Sequence, residues 1–168
     1  MKFVTIALLM LCVSTGSIAQ KKQSTASPVT WKPFAAGMAV AQKSGKKILI
    51  DVYTDWCSWC KKMDANTYAD KKVADYLQKN YILIKLNPEK DGDVMYDGKK
   101  YSAAEFSQGM GVNGYPATLF LKSNGQPITL LPGYSEAEMF LHVISFIGED
   151  HYEKKKFADY LAEKGVKQ

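Results

Sequence analysis

The stretch from Ile48 to Lys61, Ile-Leu-Ile-Asp-Val-Tyr-Thr-Asp-Trp-Cys-Ser-Trp-Cys-Lys, constrains this chain more than any other. Lys47 to Tyr53 is short, apolar and rich in β-branched residues, which is the composition of a buried strand. From Cys57 to about Asn66 the pattern turns helical. Two cysteines therefore stand where a buried strand gives way to a helix. Cys57 and Cys60 are three positions apart, on one face of a turn, and can bond with little backbone movement. Cys57 takes the helix N-terminus, where unpaired amide N–H groups and the macrodipole favour a thiolate. Thiolate is the attacking form, so Cys57 reads as the nucleophile. Cys60, one turn deeper, reads as the thiol that resolves a mixed disulfide.

Other uses of such a pair are weaker. Structural zinc needs two further ligands, and His142 and His151 fall on predicted helices near the C-terminus, one a packing or surface residue and the other solvated. A copper carrier would want Met or His beside the cysteines. An inert staple closes so small a loop that it removes little chain entropy. No metal and no cofactor are expected.

The N-terminus frames the compartment. Lys2, the apolar run Phe3 to Val13 and the small-residue pattern Ser17-Ile18-Ala19 predict a signal peptide over residues 1–19, cleaved before Gln20. The run is short for a bilayer span, and no later stretch is long and apolar enough to cross a membrane. Cys12 follows Leu11 rather than a small residue, so it is expected to leave with the signal and not to carry a lipid. A periplasmic or secreted location permits disulfides, yet only Cys57 and Cys60 would remain. The formal net charge of +5 comes from lysine alone, interspersed with acids, and the chain has no arginine for bidentate phosphate contacts. That pattern describes a solvated basic surface and not a nucleic-acid face.

Residues 20–30 are polar and read as a flexible leader, and residues 31–168 as one domain. Phe34 to Lys43 predicts a first helix stopped by Gly45. Asp70 caps a further helix with Val73, Tyr76 and Leu77 on one face, and Tyr81 to Leu86 is a second buried strand. The polar, Gly-containing stretch 88–101 reads as a loop or insertion. Ser102 and Glu105 form a capping box for a short helix to Met110. Ala117 to Lys122 is a third strand, and Ser123-Asn124-Gly125 turns it into an edge strand, Ile128 to Leu131. Ser135 and Glu138 suggest a second capping box, before a helix with Met139, Val143, Ile144 and Ile147 at core spacing. A last amphipathic piece from about Asp150 to Lys164 carries Tyr152, Phe157, Tyr160 and Leu161. The order α-β-α-β-α-β-β-α plus a terminal helix predicts an α/β fold with a mixed central sheet flanked by helices.

With these residues in view, the chain resembles the thioredoxin superfamily from about Phe34 to Ile147. The strand-to-dithiol segment and Gly114-Tyr115-Pro116-Ala117-Thr118 carry the likeness. The resemblance implies that Pro116 is the cis residue of a loop beside the dithiol and that Pro116 and Tyr115 hold an extended substrate. It implies that Asp51 is the buried acid that takes a proton from Cys60, and that Lys85 lies near it. A solvent-facing Asp51 at the strand end is the other reading. Gly133 resembles the glycine after the last strand, which allows close packing. Trp56 and Trp59 would rim the dithiol together with Tyr115. Trp59, where oxidising members and disulfide isomerases often carry His, favours a reductase; a disulfide oxidase or isomerase, or a non-catalytic binding module on the same fold, are the alternative readings. The Trp-Cys-x-Trp-Cys-Lys-Lys form resembles exported bacterial thioredoxin-like proteins, including the C-terminal domain of the transmembrane electron carrier DsbD. Disulfides of exported proteins would then be the substrates and a membrane electron carrier the reductant.

Overall fold

The computed structural model describes residues 29–166. The expected signal peptide and the leader up to residue 28 lie outside the described residues. In chain order the elements are α1 (Phe34–Ser44), β1 (Lys47–Val52), α2 (Ser58–Met63), a π-turn (Asp64–Tyr68), α3 (Lys71–Asn80) and β2 (Tyr81–Leu86). There follow β3 (Asp93–Tyr96), β4 (Lys99–Ser102), α4 (Ala103–Gly109), β5 (Ala117–Leu121), β6 (Pro127–Pro132), α5 (Ala137–Gly148), a 3-10 turn (His151–Glu153) and α6 (Phe157–Glu163).

The sheet runs β2-β1-β5-β6. β1 pairs parallel with β2 and antiparallel with β5, and β6 is an antiparallel edge. Central strands covered on both faces need apolar side chains on both, and the alternation along β1 divides the core. Ile48, Ile50 and Val52 pack with Phe34, Ala41 and Phe106 on the α1 and α4 side. Leu49 packs with Met63, Val73, Leu77, Phe140 and Ile144 on the α2, α3 and α5 side. The same alternation puts Asp51 on Leu49's face, beneath the helix that carries the cysteines.

The mixed sheet with helices on both faces, and the added C-terminal helix, agree with the expected fold class. So do two helix starts. Asp70 accepts from the N–H groups of Lys72 and Val73, and Ser102 and Glu105 complete their capping box.

Three expectations fail. Residues 88–101 are no simple loop: β3 and β4 make a two-stranded hairpin apart from the main sheet. Its tip is Asp97-Gly98, both with positive φ (49° and 71°), the pair that a tight hairpin turn favours. Ser135 does not cap α5. The N-cap is Glu136, which makes no side-chain cap bond, while the Ser135 carbonyl accepts the Thr67 hydroxyl of the π-turn at 2.6 Å. The last amphipathic piece is a 3-10 turn followed by α6, broken where Asp150 adopts positive φ and a bend separates the two. Upstream of α1, Lys32 donates to the Leu83 carbonyl (2.9 Å) and accepts from the Lys85 N–H (3.2 Å), a one-residue parallel bridge outside β2.

Candidate active site

β1 ends at Val52, and after four intervening residues the chain reaches Cys57, the N-cap of α2. Cys57 is in extended backbone conformation, and its sulfur accepts the Cys60 N–H at 3.0 Å. The Cys57 N–H donates back to the Thr54 carbonyl at 3.2 Å, which ties the nucleophile position to the strand exit. The two cysteines are joined as a disulfide with Cα atoms 5.3 Å apart. One sulfur thus sits at the start of a helix, on an amide donor that stabilises its anionic form.

Both cysteines are only 4% exposed, whereas Trp56 and Trp59 are 67% and 52% exposed. The cysteines are thus buried while the indoles of the residues that precede each of them stand out at the surface. Trp56 meets Tyr115 edge-on at 5.9 Å, and its indole N–H donates to both oxygens of Glu89 at 3.0 Å. Trp59 leans on Tyr134 at 5.3 Å, and the Lys62 ammonium lies over both rings at 4.6 and 4.8 Å. The Tyr115–Pro116 peptide is cis. The Pro116 carbonyl accepts the Gly133 N–H at 2.8 Å, so the loop before β5 and the loop after β6 are held together. Gly133 has φ of 78° and open space around a would-be Cβ, so backbone conformation and not close packing requires glycine there.

Beneath this surface is the acid. Asp51 is 2% exposed and does not face solvent at the strand end. It stands in register between Lys85 on β2 and Thr118 on β5. The Lys85 ammonium is 3.5 Å from Asp51 Oδ2 but 2.6 Å from Asp64 Oδ1, so its tighter partner is the half-exposed Asp64. Lys85 also lies over the Tyr53 and Trp31 rings at 4.8 and 5.3 Å. Burial lifts the Asp51 pKa from 3.8 to about 7; Lys85 opposes the rise and the Asp64 charge adds to it. A carboxyl poised there can take or give a proton at neutral pH.

Of the residues singled out in the sequence, Cys57 is bonded to Cys60, Trp56 beside it meets Tyr115 of the cis-proline loop, and Asp51 lies 3.5 Å from the Lys85 ammonium. Sequence reasoning missed Asp64, Tyr68, Glu89 and Tyr134. Only Asp64 had a readable signal, standing four residues after Cys60 on the same helical face. His151 is near Glu149, Phe146 and Tyr160, and His142 faces Tyr160. Among the described residues no group of three or more His, Cys, Asp and Glu side chains is arranged to hold a metal ion.

Comparison with known proteins gives a consistent result. A family model described as a thioredoxin-like domain matches residues 34–148. The thiol:disulfide interchange protein DsbD of Yersinia pestis is 29% identical over 126 residues, which are 71% of this chain and 20% of that protein. The chain thus spans about a fifth of the length of this relative. A thioredoxin-fold protein from Helicobacter pylori has a TM-score of 0.59 and 26% identity, covering 72% of this chain and 80% of its own. The oxidised C-terminal domain of Neisseria meningitidis DsbD shares the fold, with a TM-score of 0.52 and 20% identity over 70% of this chain and 97% of that one.

Proposed function

This chain belongs to the thioredoxin-like family of thiol–disulfide oxidoreductases, and from that premise we propose that it reduces the disulfides of exported proteins outside the cytoplasm. In the dithiol form, the Cys57 thiolate attacks one sulfur of a substrate disulfide. A mixed disulfide forms and the first substrate sulfur leaves. Cys60 passes its proton to Asp51 and attacks the Cys57 sulfur; the Cys57–Cys60 bond forms and the second substrate sulfur departs with the electron pair. Lys85 and Asp64 hold the acid, and Trp56, Trp59, Tyr115 and Pro116 receive the substrate chain. A membrane electron carrier would return the protein to its dithiol form.

The observation that carries this reading is the Cys57 sulfur on the Cys60 amide at a helix start, above a buried acid lifted to about 7. Reductive direction is supported by Trp59, which brings no charge next to Cys60 to favour the thiolate form. Export is supported by the pattern of residues 1–19.

Insulin reduction by the purified protein tests the chemistry. Cys57→Ser is expected to abolish it, and Cys60→Ser to accumulate a mixed disulfide that thiols release. Equal activity in wild type and Cys57→Ser would remove the catalytic reading. The reduction potential tests direction: a value near about −270 mV supports a reductase, and one near about −120 mV an oxidant.

A further inference from the structure

Asp51 has two carboxylate oxygens, and they meet different groups. Oδ2 faces Lys85, whereas Oδ1 accepts the Tyr68 hydroxyl at 3.4 Å. Tyr68 is buried in an otherwise apolar cluster, its ring edge-on to Trp31 at 4.9 Å and to Phe140 at 5.5 Å. A phenylalanine would fill that space, so packing alone gives no reason to bury the hydroxyl. The hydroxyl also lies 3.4 Å from the Thr118 hydroxyl, and either can be the donor. Thr118 is fully buried on β5, directly across from Asp51.

The backbone explains how these groups converge. The helix that begins at the cysteines widens into the π-turn Asp64–Tyr68, whose first residue pairs with Lys85 and whose last reaches Asp51. Thr67 pins the turn to the Ser135 carbonyl. Such turns often occur where a functional side chain has to be aimed.

We infer that Tyr68 is a positioning residue for the proton step, its hydroxyl turning between Asp51 and Thr118 as the acid changes protonation state. When Asp51 is ionised, Tyr68 donates to Oδ1 and Thr118 donates to Tyr68. When Asp51 has taken the Cys60 proton, the carboxyl O–H donates to Tyr68, which donates to Thr118. Two hydroxyl rotations keep Asp51 Oδ1 and the Tyr68 hydroxyl hydrogen-bonded to each other in both states. Tyr68 neither gains nor loses a proton, and burial beside Asp51 holds its own pKa well above the ordinary range. The charged and titratable groups that act on Asp51 are Lys85 from β2 and Asp64 and Tyr68 from the π-turn, and the cysteine pair begins the helix that runs into that turn.

This inference rests on the proposed role of Asp51 as proton acceptor, and the experiment separates the two. A glutathione mixed disulfide on Cys57 is the probe, and its release by Cys60 is followed from pH 5 to 9 beside an NMR titration of the Asp51 carboxyl carbon. The bond that Tyr68 donates to the ionised carboxylate is charge-assisted and stronger than the one it accepts from the neutral acid, so losing Tyr68 raises the carboxyl pKa. Tyr68→Phe is therefore expected to move both the Asp51 midpoint and the release profile to higher pH, slowing release roughly threefold on the acid limb. Attack of reduced Cys57 on a small disulfide reagent should change less. Thr118→Val should shift both in the same direction by a smaller amount, which keeps the test available if Tyr68→Phe folds poorly. If Asp51→Asn abolishes the pH dependence of release but Tyr68→Phe leaves both midpoints where they were, the Tyr68 role is wrong and the acceptor role stands. If Asp51→Asn leaves the release profile unchanged, the acceptor role fails and takes the Tyr68 role with it.

Discussion

An ionised carboxylate taken out of water is costly unless its partners compensate fully, and at Asp51 they do so only in part. Its cation is held more closely by Asp64 than by Asp51 itself. Because Asp51 titrates near about 7 when folded and near 3.8 as a free side chain, the folded protein holds this proton more tightly than the unfolded chain. Between those two values the unfolded chain has released the proton and the folded one has not, so stability falls as pH rises and levels off above about 7. Asp51→Asn removes this component. Relative to wild type, the variant should gain on the order of 3 kcal/mol between pH 4 and pH 8. Urea unfolding of the oxidised proteins at pH 4, 6 and 8 measures it, and parallel stability curves would contradict the burial argument. Asp51 was legible as an acid inside an apolar strand. Of the partners that set its behaviour, Lys85 was expected from the resemblance and Asp64 left only its helical spacing from Cys60, while Tyr68 left no signal, because a helix packed on the sheet brings it to the acid.

Among the elements, α1 approaches the sheet tightly at Gly37. A Cβ on Gly37 would stand 2.3 Å from Cγ1 and 2.5 Å from Cδ1 of Ile84, a fully buried residue on β2. Gly to Ala in a helix interior ordinarily gains up to about 1 kcal/mol. Here the clash falls on the stem of a β-branched side chain in a packed core, and overpacking of that kind costs about 1–3 kcal/mol. Gly37→Ala should therefore lower Tm in a thermal melt; a higher Tm would mean that Ile84 has room to move. Helix starts and buried strands were readable because caps and apolar runs are local. The β3–β4 hairpin was obscured because only Val94 on it is fully buried, so its strands carry little apolar alternation. The Asp97-Gly98 pair was the usable signal there.

At the scale of the molecule, the sheet separates two apolar clusters, and the site follows the end of β1, whose alternating residues supply both layers. The C-terminal helix belongs to the α5 side. Tyr160 and Leu161 are buried there with Phe146 and Val143, and Phe157 meets Phe146 at 5.2 Å. Leu161→Ala removes a buried side chain from this cluster and should cost about 2–5 kcal/mol. Insulin reduction at 25 °C should stay at the wild-type rate, since α6 supplies no group to the dithiol. A stability loss accompanied by a shifted redox potential would show that α6 is coupled to the site. Among the described residues no helix is long and apolar enough to cross a membrane.

What the sequence determined by itself is whatever depends on neighbours along the chain. A strand running into a helix sets one cysteine at the helix start and its partner a turn away, and capping residues mark where other helices begin. The tertiary structure decided what depends on separate elements meeting. Asp51 is an acid near neutrality because β2, β5 and the π-turn enclose it, and Trp56 and Trp59 meet Tyr115 and Tyr134 because loops from distant parts of the chain reach the dithiol segment. Hydrogen bonding and propensity act over a few residues, whereas desolvation and charge pairing act through space, and no pattern along the chain records which groups space will bring together.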